Sequence, residues 1–192
     1  MGWRLRNFFV FSLVTAVLGA ADTPNPAVMG PPAVSAYHRA QFLHAMNPSV
    51  DLATALNYAL LYDEEGGYEG VNPDLAFAQM LLETSFLKYG GQVAGGQNNF
   101  AGLGAVDGGD RGLVFPSPRQ GIRAQIQHLK YYATNLPLNG SPVNPRLSLV
   151  KRASAPTVWQ LSKAWASDPA YGTKLMDLMT RMVAHDGPVA QN

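Results

Sequence analysis

Apolar residues recur at helical spacing in six stretches of the chain, and clusters of proline, glycine or asparagine separate these stretches. The spacing predicts six helices: residues 36–46, a helix that follows Asn47 and ends before Gly66, and residues 73–87, 118–133, 157–165 and 171–184. No run of residues shows the alternation that is typical of strands. The pattern therefore predicts a mainly α-helical domain, either all-helical or with a short β-hairpin in the glycine-rich loop between residues 90 and 112.

The third predicted helix has a clear start and an apolar interior. Asn72 is a good N-cap, and Pro73 suits the first helical position, where no backbone donor is needed. From residue 75 to residue 87 almost every side chain is apolar. Because a helix that is apolar on most sides is normally enclosed by others, we expect this one at the centre of the fold.

The length and composition indicate one compact domain. The chain has 192 residues, of which 47% are hydrophobic and 14% charged, enough apolar material for one core. Residues 22–34 are rich in proline and predict a linker, residues 35–186 the folded domain, and residues 187–192 a tail. Since the net charge is only +1 and no long basic run occurs, nucleic acid is not an expected partner.

The first 21 residues resemble a signal peptide. Arg4 and Arg6 precede a short apolar stretch over residues 8–18, and small residues follow at 19–21. The alternative, a membrane anchor, needs about 20 apolar residues, more than this stretch provides. The chain has no cysteine, which excludes disulfides and thiolate metal sites. We therefore expect a secreted or periplasmic protein of the cell envelope, without stable membrane insertion after cleavage.

Glu83 is the most informative position for chemistry, because a carboxylate in an apolar helix is costly to bury without compensation. An apolar environment raises the pKa of a carboxyl group and makes it a general acid near neutral pH. Gln79 lies one turn earlier on the same helix face, where a groove would open. The alternative is a structural carboxylate paired with a buried arginine.

The order of several motifs resembles the glucosaminidase domain of bacterial autolysins. Residues 77–85 read FAQMLLETS, similar to the family segment in which an Ala-Gln pair, three apolar residues and Glu-Thr or Glu-Ser follow one another. Residues 97–103 read QNNFAGL, similar to its Asn-Asn-aromatic loop, with Ala101 where many members carry an aromatic residue. Residues 115–117 and the helix over 121–129 match the stretch that follows, and residues 165–171 read WASDPAY, similar to its late Asp-Pro-x-Tyr motif.

The resemblance implies a lysozyme-like helical fold and cleavage of peptidoglycan after N-acetylglucosamine. It implies that Glu83 is the proton donor and that Tyr171 lines the catalytic cleft. The candidate substrate-binding residues are Gln79, Asn98, Asn99, Phe100 and Trp165. The residues themselves leave other roles open, because the two asparagines also suit a turn and an aromatic residue in a helical protein is more often core.

The second catalytic group stays open. Asp107 and Asp110 lie on the glycine-rich loop and are candidates for a second carboxylate, whereas Glu64, Glu65 and Glu69 are weaker ones. The acetamido group of the substrate is a further alternative.

Two rival functions also remain, a lytic transglycosylase on the same scaffold and a non-catalytic wall-binding module. No metal or other cofactor is expected, because the four histidines are widely separated and lack the spacing of a zinc helix. A serine hydrolase is disfavoured, since no serine lies in a Gly-x-Ser-x-Gly turn.

Overall fold

The computed structural model describes residues 24–90, 94–105 and 111–185. This part of the chain contains the α-helices α1 (Ala36–Met46), α2 (Leu52–Glu69), α3 (Pro73–Glu83), α4 (Pro118–Ala133), α5 (Val158–Ala164) and α6 (Tyr171–Val183), with short 3₁₀ turns at Gly95–Gln97 and Pro145–Leu149. Pairing between extended segments is limited there to isolated antiparallel bridges, one of them between Ala105 and Arg111 in the glycine-rich loop. The predicted mainly α-helical fold is confirmed. None of the described helices is both long and apolar enough to cross a membrane.

The helix starts follow local capping chemistry. The hydroxyl groups of Ser35 and Ser117 accept hydrogen bonds from the third residue of α1 and α4, and Asn72 caps α3 in front of Pro73. The predicted bounds of α1 and α4 are therefore those observed.

The second helix runs further than predicted, because Gly66 does not end it. A Cβ at Gly66 would lie 2.9 Å from the carbonyl oxygen of Val71 and 3.0 Å from Pro73 Cγ. The glycine therefore allows the chain to fold back closely against α2. The helix ends at Glu69 and is capped by Gly70, which has the left-handed φ of 78°.

The central helix α3 is buried from Pro73 to Leu81, but it ends at Glu83 and not at residue 87 as predicted. Residues 85–87 have φ angles of 50°, 59° and 61°, a left-handed turn without glycine. The Asn47 side chain donates to the carbonyl oxygen of Phe86 over 2.8 Å, and the Thr84 hydroxyl accepts from the Leu87 amide over 2.9 Å. These contacts hold the turn in a conformation that the residue types disfavour.

Ion pairs join α2 to α4. The Glu65 carboxylate accepts from Arg123 over 2.7 Å and from Arg119 over 2.9 Å. The carboxylate of Glu69 accepts from Lys130 over 2.8 Å, and both side chains are at most 3% exposed. These pairs hold the two helices that flank α3.

The described part of the predicted linker packs against the domain. Val28 is fully buried; its amide donates to the Pro156 carbonyl oxygen and its carbonyl oxygen accepts from the Asn72 amide. The segment is extended, as its prolines favour, but Val28 gives it an apolar anchor that the composition does not reveal. The predicted signal peptide over residues 1–21 and the tail over residues 187–192 lie outside the described residues.

Candidate active site

Glu83 is the last residue of α3, and part of its side chain is exposed at the surface while neighbouring residues surround its carboxylate. The Tyr171 hydroxyl donates a hydrogen bond of 2.6 Å to Glu83 Oε1. The other oxygen, Oε2, faces the loop that follows the Gly95–Gln97 turn: a Cβ at Gly102 would lie 3.6 Å from it. The two carboxylate oxygens therefore have different surroundings.

The surrounding protein raises the pKa of Glu83. The largest cause is that the surrounding protein removes water from the carboxylate, although the side chain as a whole is exposed; hydrogen bonding from Tyr171 and from Trp165 opposes the rise by stabilising the ionised form. No lysine, arginine or histidine in the described part of the chain forms an ion pair with Glu83. The structural alternative, a carboxylate paired with a buried arginine, therefore finds no partner among these residues.

Tyr171 is held firmly at the start of α6. Gly172 packs against α5, where a Cβ would lie 2.6 Å from the Val158 carbonyl oxygen, and its amide donates to the Ser162 hydroxyl over 2.8 Å. The ring of Tyr171 is only 5% exposed. Burial raises the pKa of Tyr171 well above its ordinary value, and the nearby Glu83 charge adds to the rise. Tyr171 is therefore a neutral hydrogen-bond donor at any pH near neutrality.

Three of the predicted substrate-binding residues lie in the interior. Gln79 is fully buried and bonds to Tyr171 and Gln125. The Asn99 amide bridges the backbone of its own loop, bonding to Leu103 and to the Leu113 carbonyl oxygen. Phe100 is 1% exposed and packs edge-on against Tyr58, with ring centroids 5.3 Å apart. All three side chains contact other parts of the fold in this structure, and their direct contact with a ligand stays a prediction.

Asn98 also serves the loop. It adopts a left-handed φ of 50°, and its side-chain amide donates to the Phe115 carbonyl oxygen over 2.9 Å. The loop lies close against α4, since a Cβ at Gly121 would come within 1.7 Å of the Asn98 carbonyl oxygen. The predicted turn role of the asparagines therefore holds, and the turn places Gly102 beside Glu83.

A small cavity lies next to this loop. It has a volume of about 250 Å³ and is lined by residues 101–105, His128, Tyr132, Arg146 and Trp165. The rings of His128 and Tyr132 each lie 5.8 Å from that of Trp165, measured between centroids. Trp165, which also stabilises the Glu83 carboxylate, joins the cavity to the acid. A larger groove of about 500 Å³ between α3 and α6 contains none of the predicted site residues.

His128 is a lining residue that the sequence does not reveal, because its place between Ile126 and Leu129 reads as core. Burial lowers the pKa of His128 to about 4, so the ring is neutral at pH 7. The Asn144 side-chain oxygen accepts from the Arg146 amide, so its nitrogen faces His128 Nδ1 over 2.9 Å. His128 Nδ1 is therefore an acceptor, and the ring proton lies on Nε2.

The candidates for a second carboxylate divide into two groups. Asp107 and Asp110 lie outside the described residues. The three glutamates of α2 form ion pairs with α4, Glu64 with Arg119 over 2.6 Å at the surface and the other two as described above.

Comparison with known proteins places this arrangement in a family. The profile described as mannosyl-glycoprotein endo-beta-N-acetylglucosaminidase (Glucosaminidase) matches residues 59–183. An uncharacterized protein from Borreliella burgdorferi (strain B31) is 41% identical over 141 residues, which are 73% of this chain and 69% of that protein.

A solved structure shares the fold. Autolysin E from S. aureus, crystallised in complex with the muropeptide NAM-L-Ala-D-iGlu, superposes with a TM-score of 0.51 at 16% identity, covering 84% of this chain and 72% of that one. The family profile covers more than half of the sequence and includes α3, α4, α5 and α6. The chain therefore belongs to the glucosaminidase family, as its motifs predict.

Proposed function

We propose that this protein is a peptidoglycan hydrolase that cleaves the glycan strand after N-acetylglucosamine, with Glu83 as the general acid. One observation carries the proposal: the Glu83 carboxyl group has a raised pKa, lacks a cationic partner among the described residues, and lies beside an open cavity. The family name supports a glycosidic bond of N-acetylglucosamine as the target. The muropeptide bound to autolysin E supports peptidoglycan as the substrate.

The reaction needs a proton on the oxygen of the departing sugar. Glu83 is protonated over a wider pH range than an ordinary glutamate and donates that proton as the glycosidic bond breaks. Tyr171 then stabilises the glutamate anion with the hydrogen bond that it already donates. The acid is regenerated when it takes a proton from the water that completes hydrolysis.

The cavity beside Trp165 is the proposed binding site for one sugar of the strand. Its volume of about 250 Å³ lies just below the range of about 300–1,000 Å³ usual for drug-sized ligands, so it holds a single ring of a longer glycan. Trp165 and Tyr132 offer aromatic faces to the sugar, and neutral His128 offers an N–H donor. Trp165 is thereby the one predicted substrate-binding residue that lines this cavity.

The group that assists the second step remains a choice between Asp107, Asp110 and the acetamido group of the substrate. A second carboxylate about 5 Å from the acid gives retention of configuration, and one several ångströms further away gives inversion. The NMR spectrum of the first-formed product distinguishes the two. Asp107→Asn and Asp110→Asn then separate a protein carboxylate from substrate assistance. The predicted signal peptide supports a location of this activity in the cell envelope.

The test is digestion of purified peptidoglycan, followed by mass spectrometry of the soluble fragments. Wild-type protein is expected to release fragments with reducing N-acetylglucosamine ends, and Glu83→Gln is expected to release none. Glu64→Gln is the matched control, since Glu64 is an exposed acid paired with Arg119 at the surface.

Three outcomes contradict the proposal. Anhydro-muramic ends identify a lytic transglycosylase instead. Binding to sacculi without turnover by wild type and Glu83→Gln alike identifies a wall-binding module. Undiminished release by Glu83→Gln rejects Glu83 as the acid.

A further inference from the structure

Four hydrogen bonds form a continuous chain through the core to Glu83. The Tyr62 hydroxyl donates to Gln125 Oε1 over 2.6 Å, and Gln125 Nε2 donates to Gln79 Oε1 over 2.9 Å. Gln79 Nε2 donates to the Tyr171 hydroxyl over 2.9 Å, and that hydroxyl donates to Glu83 Oε1 over 2.6 Å. The first three residues are fully buried. The chain links α2, α4, α3 and α6.

The direction of the chain is fixed by a backbone group. Gln125 Nε2 also donates to the carbonyl oxygen of Ala76 over 2.9 Å. A carbonyl oxygen only accepts hydrogen bonds, so the reverse orientation of the Gln125 amide would bring two oxygen atoms together. With Gln125 held this way, Gln79 must present its oxygen to Gln125 and its nitrogen to Tyr171. The Tyr171 hydroxyl, which accepts from Gln79, has its single hydrogen left for Glu83.

We propose that Gln125 is a positioning residue that, through Gln79, fixes Tyr171 as a donor to Glu83 Oε1 and so confines the proton of the acid to Oε2. An oxygen that accepts a hydrogen bond from Tyr171 cannot direct its own proton along the same line. Gln125 touches neither Glu83 nor the cavity. The catalytic consequence rests on the proposed function, but the position of the proton does not.

The location of Oε2 determines where a proton on this oxygen is directed. Oε2 faces Gly102, in the loop that lines the small cavity. A proton on Oε2 is therefore directed toward the side from which a bound glycan is expected, whereas a proton on Oε1 would be directed toward Tyr171. The buried chain thus selects the productive one of two otherwise equivalent protonated forms.

The test compares two substitutions in the same buried chain. Gln125→Met removes the donors to Gln79 and to the Ala76 carbonyl oxygen, so the Gln79 amide is free to turn and Tyr171 is no longer forced to donate to Glu83. Tyr62→Phe removes one hydrogen bond from the far end and leaves the Ala76 contact, which still orients Gln125. Both variants lose core hydrogen bonds, but only Gln125→Met leaves the orientation of the Gln79 amide unconstrained.

For Gln125→Met, we expect kcat on peptidoglycan to fall about tenfold with KM changed less than twofold, since one oriented hydrogen bond to the acid is lost. The pKa of Glu83, followed by the ¹³C NMR signal of its carboxyl carbon, is expected to rise, because the ionised form loses part of its hydrogen bonding. Tyr62→Phe should change kcat less than twofold and leave the pKa of Glu83 unshifted. A folded Gln125→Met with unchanged kcat and Glu83 pKa overturns the proposal, as does an equal effect of Tyr62→Phe.

A measurement on the wild type decides the matter even if Gln125→Met does not fold. Neutron diffraction from crystals kept below the pKa of Glu83 locates the deuterium atoms of the chain. Deuterium on Oε2, with Tyr171 donating to Oε1, supports the proposal, and deuterium on Oε1 overturns it. If the wild type fails to cleave peptidoglycan, the proposed function fails, while the NMR and neutron results still decide the position of the proton.

Discussion

Substitution of Gly121 by alanine tests how closely the loop beside Glu83 packs on α4. A Cβ at this position would lie 1.7 Å from the Asn98 carbonyl oxygen and 2.9 Å from its carbonyl carbon. Because the obstructing atoms are backbone, the loop must shift by more than an ångström, which costs about 3 kcal/mol at the upper end of ordinary overpacking. Alanine returns about 1 kcal/mol of helix propensity. The expected net loss in the free energy of unfolding is about 2 kcal/mol.

Urea unfolding followed by circular dichroism measures this loss. With an m value of about 2 kcal/mol/M, the midpoint should fall by about 1 M. Gly67→Ala is the matched control, since Gly67 is an exposed helical glycine with no atom within 4 Å of the added Cβ, and it should raise stability by about 0.5–1 kcal/mol. Because the shifted loop carries Gly102 away from Glu83, Gly121→Ala should also lose peptidoglycan cleavage. Equal stability of Gly121→Ala and wild type would refute this packing.

Substitutions at three further positions test stability and pH dependence. The pKa of His128 is about 4 in the folded protein, against an ordinary value of 6.5. Between these two pH values the native state therefore binds fewer protons than the unfolded state, and the free energy of unfolding should drop by about 3 kcal/mol as the pH falls from 6.5 to 4. His128→Gln should abolish this part of the pH dependence, as measured by urea titrations. At Ser85, with its φ of 50°, Ser85→Val should lower the free energy of unfolding by about 1–2 kcal/mol relative to Ser85→Gly, and equal values would contradict the left-handed turn. Lys130→Met leaves buried Glu69 without its cation and should lower the free energy of unfolding by about 3 kcal/mol. A thermal unfolding midpoint unchanged from wild type would contradict the burial of this ion pair.

Much of the fold follows from short-range patterns in the sequence. Ser35, Asn72 and Ser117 each stand directly before a periodic apolar run, and a capping side chain acts on amides only two or three residues away. These signals are complete within a few residues. The starts of α1, α3 and α4 could therefore be predicted without knowledge of the rest of the molecule.

The end of α3 could not be predicted in this way. Residues 85–87 are not glycines, and their left-handed conformation depends on Asn47, nearly forty residues earlier in the chain. The prediction that α2 ends before Gly66 is wrong for a related reason, since the small size of this glycine serves close packing against Val71 and not helix termination. Both features arise from tertiary contacts that local propensity does not encode.

The candidate site was predictable in part. A glutamate in an apolar helix and a late tyrosine motif predict site roles for Glu83 and Tyr171, and the structure brings their side chains within 2.6 Å of each other. Polarity in an apolar helix predicts an opening at Gln79, whereas the structure shows this side chain fully buried. Its partner Gln125 lies on α4, 46 residues away, and no pattern within α3 reveals that a buried amide is satisfied by another helix.

The role of Glu83 as a proton donor is tested most directly by varying the leaving group. The measurement is the ratio of kcat/KM values for wild type and Glu83→Gln on two substrates, a natural peptidoglycan fragment and the corresponding dinitrophenyl glycoside, whose leaving group needs no proton. We predict a loss of about 10²–10⁴-fold on the natural fragment and a far smaller loss on the dinitrophenyl glycoside. An equal loss on both substrates, or no loss on the natural one, would contradict general acid catalysis by Glu83.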